Sequence, residues 1–249
     1  TAGATTAATK AGGTPSASAS AAPGGAASSA PAAASTPGTG TSGTTGGGST
    51  GGTAAARGTA PGTYTYDSSG SQTVSGAKQD VHASSTLTMG ALANGRQTST
   101  LHNSQGDTTQ EVEVRSTGTY LAALTVSSPT LKTAFHFDPA VLLLPDPARV
   151  GASWSWNGTS DDGKTTVATT NKVLRTETVT IGGEHVATVV LQSHLVITGQ
   201  DVHYTADATN WVAPAYRLQV RTHTTGSGSY GAFPFSFDVT DVLRSVHPG

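Results

Sequence analysis

The 249 residues carry 13 Lys plus Arg against 15 Asp plus Glu, a formal charge of -2. The basic residues are scattered, which excludes the phosphate neutralisation that nucleic-acid binding requires. The absence of cysteine excludes disulfides, thiolate-bound metal centres and thiol nucleophiles.

From Thr1 to Thr63 there is no Val, Ile, Leu, Met, Phe, Tyr or Trp, and the only charges are Lys10 and Arg57. Such a segment has almost no apolar area to bury, while ordering costs roughly 1–2 kcal/mol of backbone entropy per residue. Residues 1–60 are therefore predicted to be a disordered Ala/Gly/Ser/Thr/Pro-rich tether with a root-mean-square span of roughly 40–50 Å. A chain beginning at Thr1 without a leader is expected to be processed or trimmed, and without cysteine it offers no site for lipidation at this end.

At Tyr64 aromatic and β-branched residues set in, and residues 61–249 are predicted to form one antiparallel β domain. Period-two alternation marks Val81–Met89, Tyr120–Val126, Leu131–Phe137, Tyr216–Val220 and Phe233–Val239, each with one apolar face. About a dozen strands are expected. The run Asp138-Pro139-Ala140-Val141-Leu142-Leu143-Leu144-Pro145 reads as one short helix, with Asp138 as cap, Pro139 at the first position and Pro145 ending it. Its four large aliphatics in a row are far fewer than the roughly 20 apolar residues of a membrane helix, so a soluble chain without a transmembrane segment is expected.

Further along, Trp154 and Trp156 share one face of a segment ending in Asn157-Gly158-Thr159, a formal glycosylation pattern. Asp161-Asp162-Gly163 lacks the remaining ligands of a calcium loop and reads as a hairpin turn. Gly182-Gly183 predicts a hairpin between Val173–Ile181 and Glu184–Ile197, with a bulge, because Val189 falls opposite Thr176. A two-residue turn at Gly199-Gln200 would pair Ile197 with Val202, Leu195 with Tyr204 and Ser193 with Ala206, bringing apolar faces together. That register makes His194 and His203 diagonal neighbours, but two ligands do not make a metal site, and no metal or other cofactor is expected. Gly226-Ser227-Gly228-Ser229-Tyr230-Gly231 matches the dinucleotide fingerprint by letter only, since a strand rather than a helix follows, and it reads as a flexible loop.

There is no GxSxG, HExxH or P-loop, so no catalytic residue is assigned and the chain is not expected to be an enzyme. A hydrolase would need a site assembled from distant strands.

Gly62-Thr63-Tyr64-Thr65-Tyr66, Leu144-Pro145, Gly151-Ala152-Ser153-Trp154-Ser155-Trp156-Asn157-Gly158 and Trp211-Val212-Ala213-Pro214 together resemble landmarks in uncharacterised secreted or anchored proteins of high-GC actinobacteria. Those proteins resemble in architecture the LolA/LolB-like half-barrel lipoprotein carriers. The resemblance implies an all-β fold with a strongly curved sheet or half-open barrel; a two-sheet sandwich is the other all-β solution. It also implies an extracytoplasmic module, secreted or held at the cell surface by a segment outside this sequence. An apolar or lipid ligand would then lie against Trp154, Trp156, Leu195, Ile197, Tyr204, Trp211, Phe235 and Phe237. The alternative is a ligand-free domain displayed on a stalk for a cell-envelope protein partner.

Overall fold

The computed structural model describes residues 58–127 and 132–249. The predicted tether therefore lies outside the described residues except at its end, as does Leu131. Twelve strands follow in chain order: β1 (Gly62–Val74), β2 (Ala77–Met89), β3 (Arg96–Asn103), β4 (Gly106–Arg115), β5 (Gly118–Ser127), β6 (Lys132–Pro145), β7 (Ser153–Thr159), β8 (Thr165–Ile181), β9 (Glu184–Gly199), β10 (Val202–Ala213), β11 (Leu218–Tyr230) and β12 (Phe233–Leu243). They form one antiparallel sheet in the order β6-β5-β4-β3-β2-β1-β12-β11-β10-β9-β8-β7. The sheet curls until its two end strands meet, giving a nearly closed barrel. No helix occurs among the described residues.

Every ladder but one joins strands consecutive in sequence. The exception pairs β1 with β12, from Tyr66↔Leu243 to Val74↔Phe235. The seam lies between β6 and β7, which share no ladder. It is held instead by Trp154, whose Nε1 donates to Leu142 O at 3.0 Å, and by Asp161 N donating to Ala134 O at 2.9 Å. The folded part begins by Thr59, whose N–H donates to Gln97 Oε1 and whose hydroxyl donates to Arg217 O.

Alternation places one row of each strand inside. Three buried apolar clusters result. Tyr64, Tyr66, Leu87, Leu218 and Leu243 pack with Ile181, Val186 and Val246. Val112, Leu121, Leu124, Phe135, Phe137, Leu195 and Tyr204 form a second cluster, and Leu144, Val173, Val189, Leu191 and Val212 a third. The outward rows are polar over much of the sheet; β9 to β12, for example, turn His194, Asp207, Thr225 and Asp238 outward in one line, while Val186 and Val190, on the same phase of β9 as His194, are buried in the first cluster.

Three expectations from the sequence need correction. Asp138–Pro145 is not a helix but the second half of β6. Phe137 to Ala140 bulge opposite a single β5 residue, Ala122, and a second register shift lies at Thr119/Tyr120. The bulge takes up Pro139, whose missing N–H an edge strand tolerates. The aliphatic run is buried as strand because Val141 and Leu143 reach the second cluster and Leu144 the third. A short apolar run does not by itself distinguish the two states.

The second correction is the register of β9 on β10. The pairs observed are Tyr204↔Ile197, Ala206↔Leu195 and Ala208↔Ser193, two residues from the predicted set. An even shift keeps every side chain on its predicted face. The loop is longer because it is docked: Gly231 N donates to Asp201 O at 2.7 Å, so the turn after β11 holds it. Third, Gly226–Tyr230 is strand rather than loop, the last five residues of β11. By contrast, the turns at Asp161–Gly163 and Gly182–Gly183 stand where they were expected, and the β8 bulge lies between Val173 and Arg175 with Thr176 opposite Val189.

Candidate ligand-binding interior

Six of the eight residues singled out from the sequence come together. Trp156, Leu195, Ile197, Tyr204, Phe235 and Phe237 all belong to the second cluster. Within it, Phe137 meets the edge of Trp156 at 5.6 Å, and Tyr204 stacks on Phe237 at 5.9 Å. Trp154 shares the face of Trp156 but packs in the third cluster beside Leu144. Trp211 is buried in the first cluster, with Val190 and Val220. Its ladder partners Val190 and Arg221 put it on the opposite face from Asn210, where its Nε1 donates to Glu177 and the Arg221 guanidinium covers its ring at 4.7 Å. It does not join the six of the second cluster.

The local reason for the aromatic grouping lies in β11. Gly226 pairs with Phe237 and Gly228 with Phe235. A Cβ at Gly226 would stand 2.6 Å from Phe237 Cζ, and one at Gly228 only 2.1 Å from His203 O and 3.0 Å from Phe235 Cζ. The two rings therefore lean onto bare backbone, toward Tyr204 and away from β1.

On the β1 side the inner wall is built of small residues. The ladders align Asp241, Ser68 and Ala83 in one row, and Val239, Gly70 and Val81 in the next. Unlike their counterparts across the barrel, these are partly or fully exposed although they face inward. The cause is a gap in the sheet. β2 pairs with β3 only from Thr86 to Met89, so its first nine residues, Ala77 to Ser85, have a neighbour on one side alone.

A polar belt crosses the interior wall. Ser193 Oγ donates to Asn171 Oδ1 at 2.8 Å, Asn210 Nδ2 to Ser193 Oγ at 3.2 Å, and Thr222 Oγ1 to Asn210 Oδ1 at 2.7 Å. Asp241 is the ladder partner of Thr222 and accepts the Ser68 hydroxyl at 2.5 Å. Burial holds the Asp241 carboxyl above its ordinary range, with the Ser68 hydrogen bond opposing. The same desolvation raises Tyr66, which donates to Gln219 O, and Tyr204. Two buried polar atoms of the wall, Thr169 Oγ1 and Asn171 Nδ2, have no partner.

The histidines form pairs on the outside. His194 Nδ1 lies 2.9 Å from Asp207 Oδ1, His223 Nε2 2.9 Å from Asp238 Oδ1, and His136 Nδ1 2.8 Å from Asp161 Oδ2, all exposed. His203 is not the neighbour of His194, because the observed register places it opposite Thr198. Among the described residues no three His or carboxylate groups gather closely enough to hold a metal ion. None of these three pairs has its second ring nitrogen hydrogen-bonded to a described Ser hydroxyl. No helix among the described residues is long and apolar enough to cross a membrane.

Asp241 was missed from the sequence although a signal was there: it falls on the apolar phase of the alternation Phe235, Phe237, Val239.

No family model matches the sequence, and no curated protein matches it. Among solved structures the chain is similar to a candidate lipoprotein from Parabacteroides distasonis, with a TM-score of 0.39 and 12% identity over 75% of this chain and 95% of that one. It is also similar to the hypothetical lipoprotein YmcC from Escherichia coli, with a TM-score of 0.29 and 13% identity over 69% and 85% of the two chains. A third likeness is to a candidate exported protein with a YmcC-like fold from Bacteroides fragilis, at TM-score 0.39 and 10% identity over 73% and 93%.

Proposed function

We propose that this chain is an extracytoplasmic binding module that holds an apolar or amphipathic ligand inside the curved sheet, in the manner of the LolA/LolB-like carriers its landmarks resemble. The observation that carries the reading is the solvent-exposed inner wall of β1, β2 and β12. Inward rows of a filled barrel are buried, yet Gly70 and Ala83 are exposed there and Val81, Phe235, Phe237 and Val239 half-buried. Concave apolar walls with a few convergent polar groups are the usual form of a small-molecule site. The long tether predicted for residues 1–60, suited to spanning a cell-wall layer, motivates the location. No catalysis is proposed.

Mass spectrometry of organic extracts from the natively purified protein is the direct test, with a co-purifying amphiphile as the expected result. Titration with a hydrophobic dye provides the quantitative form: saturable binding is expected, and its absence removes the reading. One observation favours a ligand-free display module instead. Opposite the gap, the interior is filled by Leu124, Phe135, Leu195 and Tyr204, all nearly inaccessible. A dye that fails to bind, with nothing in the extract, would establish that alternative.

A further inference from the structure

The proposed ligand class narrows when charge is followed along the inner wall. Among the ladder-paired residues of β1, β2, β10, β11 and β12, Asp241 is the only Asp, Glu, Lys, Arg or His whose register turns it inward. Arg221, Asp67 and Asp238 on the same and neighbouring strands lie on outward rows, and Arg244, just past β12, pairs with Asp67. No described cation lies within ion-pair distance of Asp241; its one hydrogen-bond partner is Ser68, a neutral hydroxyl. A half-buried carboxylate without a countercharge loses part of its hydration, which disfavours it unless an opposite charge arrives.

The surroundings leave room for that charge. Ser68, Gly70, Ala83 and Thr222 flank Asp241 and carry small side chains or none. Gly70 can be nothing larger: its φ is +146°, and a Cβ would stand 2.1 Å from Asp238 O. The two phenylalanines of β12 continue the same inward row as Asp241, four and six residues away, which at about 3.4 Å per residue spans roughly 14–20 Å. Their rings lean toward Tyr204 and leave the strip from Asp241 past Gly70 and Val239 uncovered. The strip runs beside the unpaired length of β2, Ala77 to Ser85, so it is reachable from the side of the barrel.

We infer that Asp241, assisted by Ser68, is the anchor for the protonated amine head group of a single-chain amphiphile whose tail lies along Val239, Phe237 and Phe235. This rests on the proposed ligand-binding function and adds the head-group chemistry. Anionic head groups are disfavoured by the same geometry, because no Lys, Arg or His of β1, β2, β10, β11 or β12 turns inward to receive them.

The test compares probes of equal chain length on the full chain by calorimetry: dodecylamine, 1-dodecanol and dodecanoate, each below its aggregation concentration. Hydrogen bonds to charged groups contribute about 1.5–3 kcal/mol, so dodecylamine should bind at least about tenfold more tightly than dodecanol. In Asp241→Asn, which keeps the shape and the Ser68 contact, the two should bind alike. A readout independent of any variant is the 13C shift of the Asp241 carboxyl, which should move on addition of dodecylamine and stay in place with dodecanol. Equal binding of all three probes by the wild type would overturn the anchor while leaving the ligand-binding function intact. Tighter binding of dodecanoate, or an amine preference that survives Asp241→Asn, would overturn it as well. Failure of every probe and of the hydrophobic dye would remove the binding function itself, and the anchor with it.

Discussion

At Asp241 two demands conflict: the fold places a carboxyl on an inward row, and burial disfavours its ionised form. Such a group binds its proton more tightly in the native than in the unfolded chain, so native stability falls as pH rises through the interval between the two values. Asp241→Asn removes that cost. Its thermal midpoint should lie above that of the wild type at pH 7, and the difference should close below about pH 4, where the unfolded carboxyl is itself protonated. A scan of midpoint against pH for both proteins checks it; a constant offset at all pH values would mean the carboxyl is not buried. Gly228 makes the opposite kind of demand, for no side chain at all. Gly228→Ala forces a Cβ against His203 O and the Tyr204 backbone, and overpacking of this sort costs about 1–3 kcal/mol, measurable by urea unfolding. Both residues show where sequence reading stopped. Asp241 stood on an apolar phase and could have been noticed, but only the ladder to Ser68 reveals that no countercharge shares its row. The glycines of β11 resembled a loop because their partners, Phe235 and Phe237, supply the missing bulk from the next strand.

Among the elements, β6 and β7 decide how the barrel closes. They meet through Trp154 and a few backbone contacts rather than a continuous ladder. Trp154→Phe keeps most of the ring and loses the bond to Leu142 O, which should cost about 0.5–1.5 kcal/mol. Hydrogen exchange should also quicken selectively in β6 and β7, while a uniform increase across all strands would show that the residue acts on global stability instead. Most strands were legible as alternating segments because each buries a single face. The second half of β6 was not, since its bulges expose successive aliphatics to two different clusters and erase the period of two. The β9–β10 hairpin was legible as to face but not as to register. A loop two residues longer preserves the first, and only the docking of Asp201 on Gly231 determines the second. Of the residues read as a lining, six share the second cluster, whereas Trp154 packs in the third and Trp211 in the first, where a register shift follows it on β10.

Across the whole molecule, the clusters on the two sides of the polar belt are joined by strands that run through both, so heat unfolding is expected as one transition. Coincident melting curves from tryptophan fluorescence and far-ultraviolet circular dichroism would verify this; separate midpoints would divide the barrel into independent halves. Leu87, 1% exposed in the first cluster, is a suitable probe: Leu87→Ala should cost about 2–5 kcal/mol and shift both signals together.

The pairing of the first strand with the last also bears on how the protein is made. A growing polypeptide can fold each flanking run of hairpins as it emerges, but β1 keeps a bare edge until residues beyond Tyr230 have been synthesised. Its nascent form is therefore two unjoined ribbons with an oily side exposed, and it stays prone to aggregation or capture by chaperones until β12 has been made.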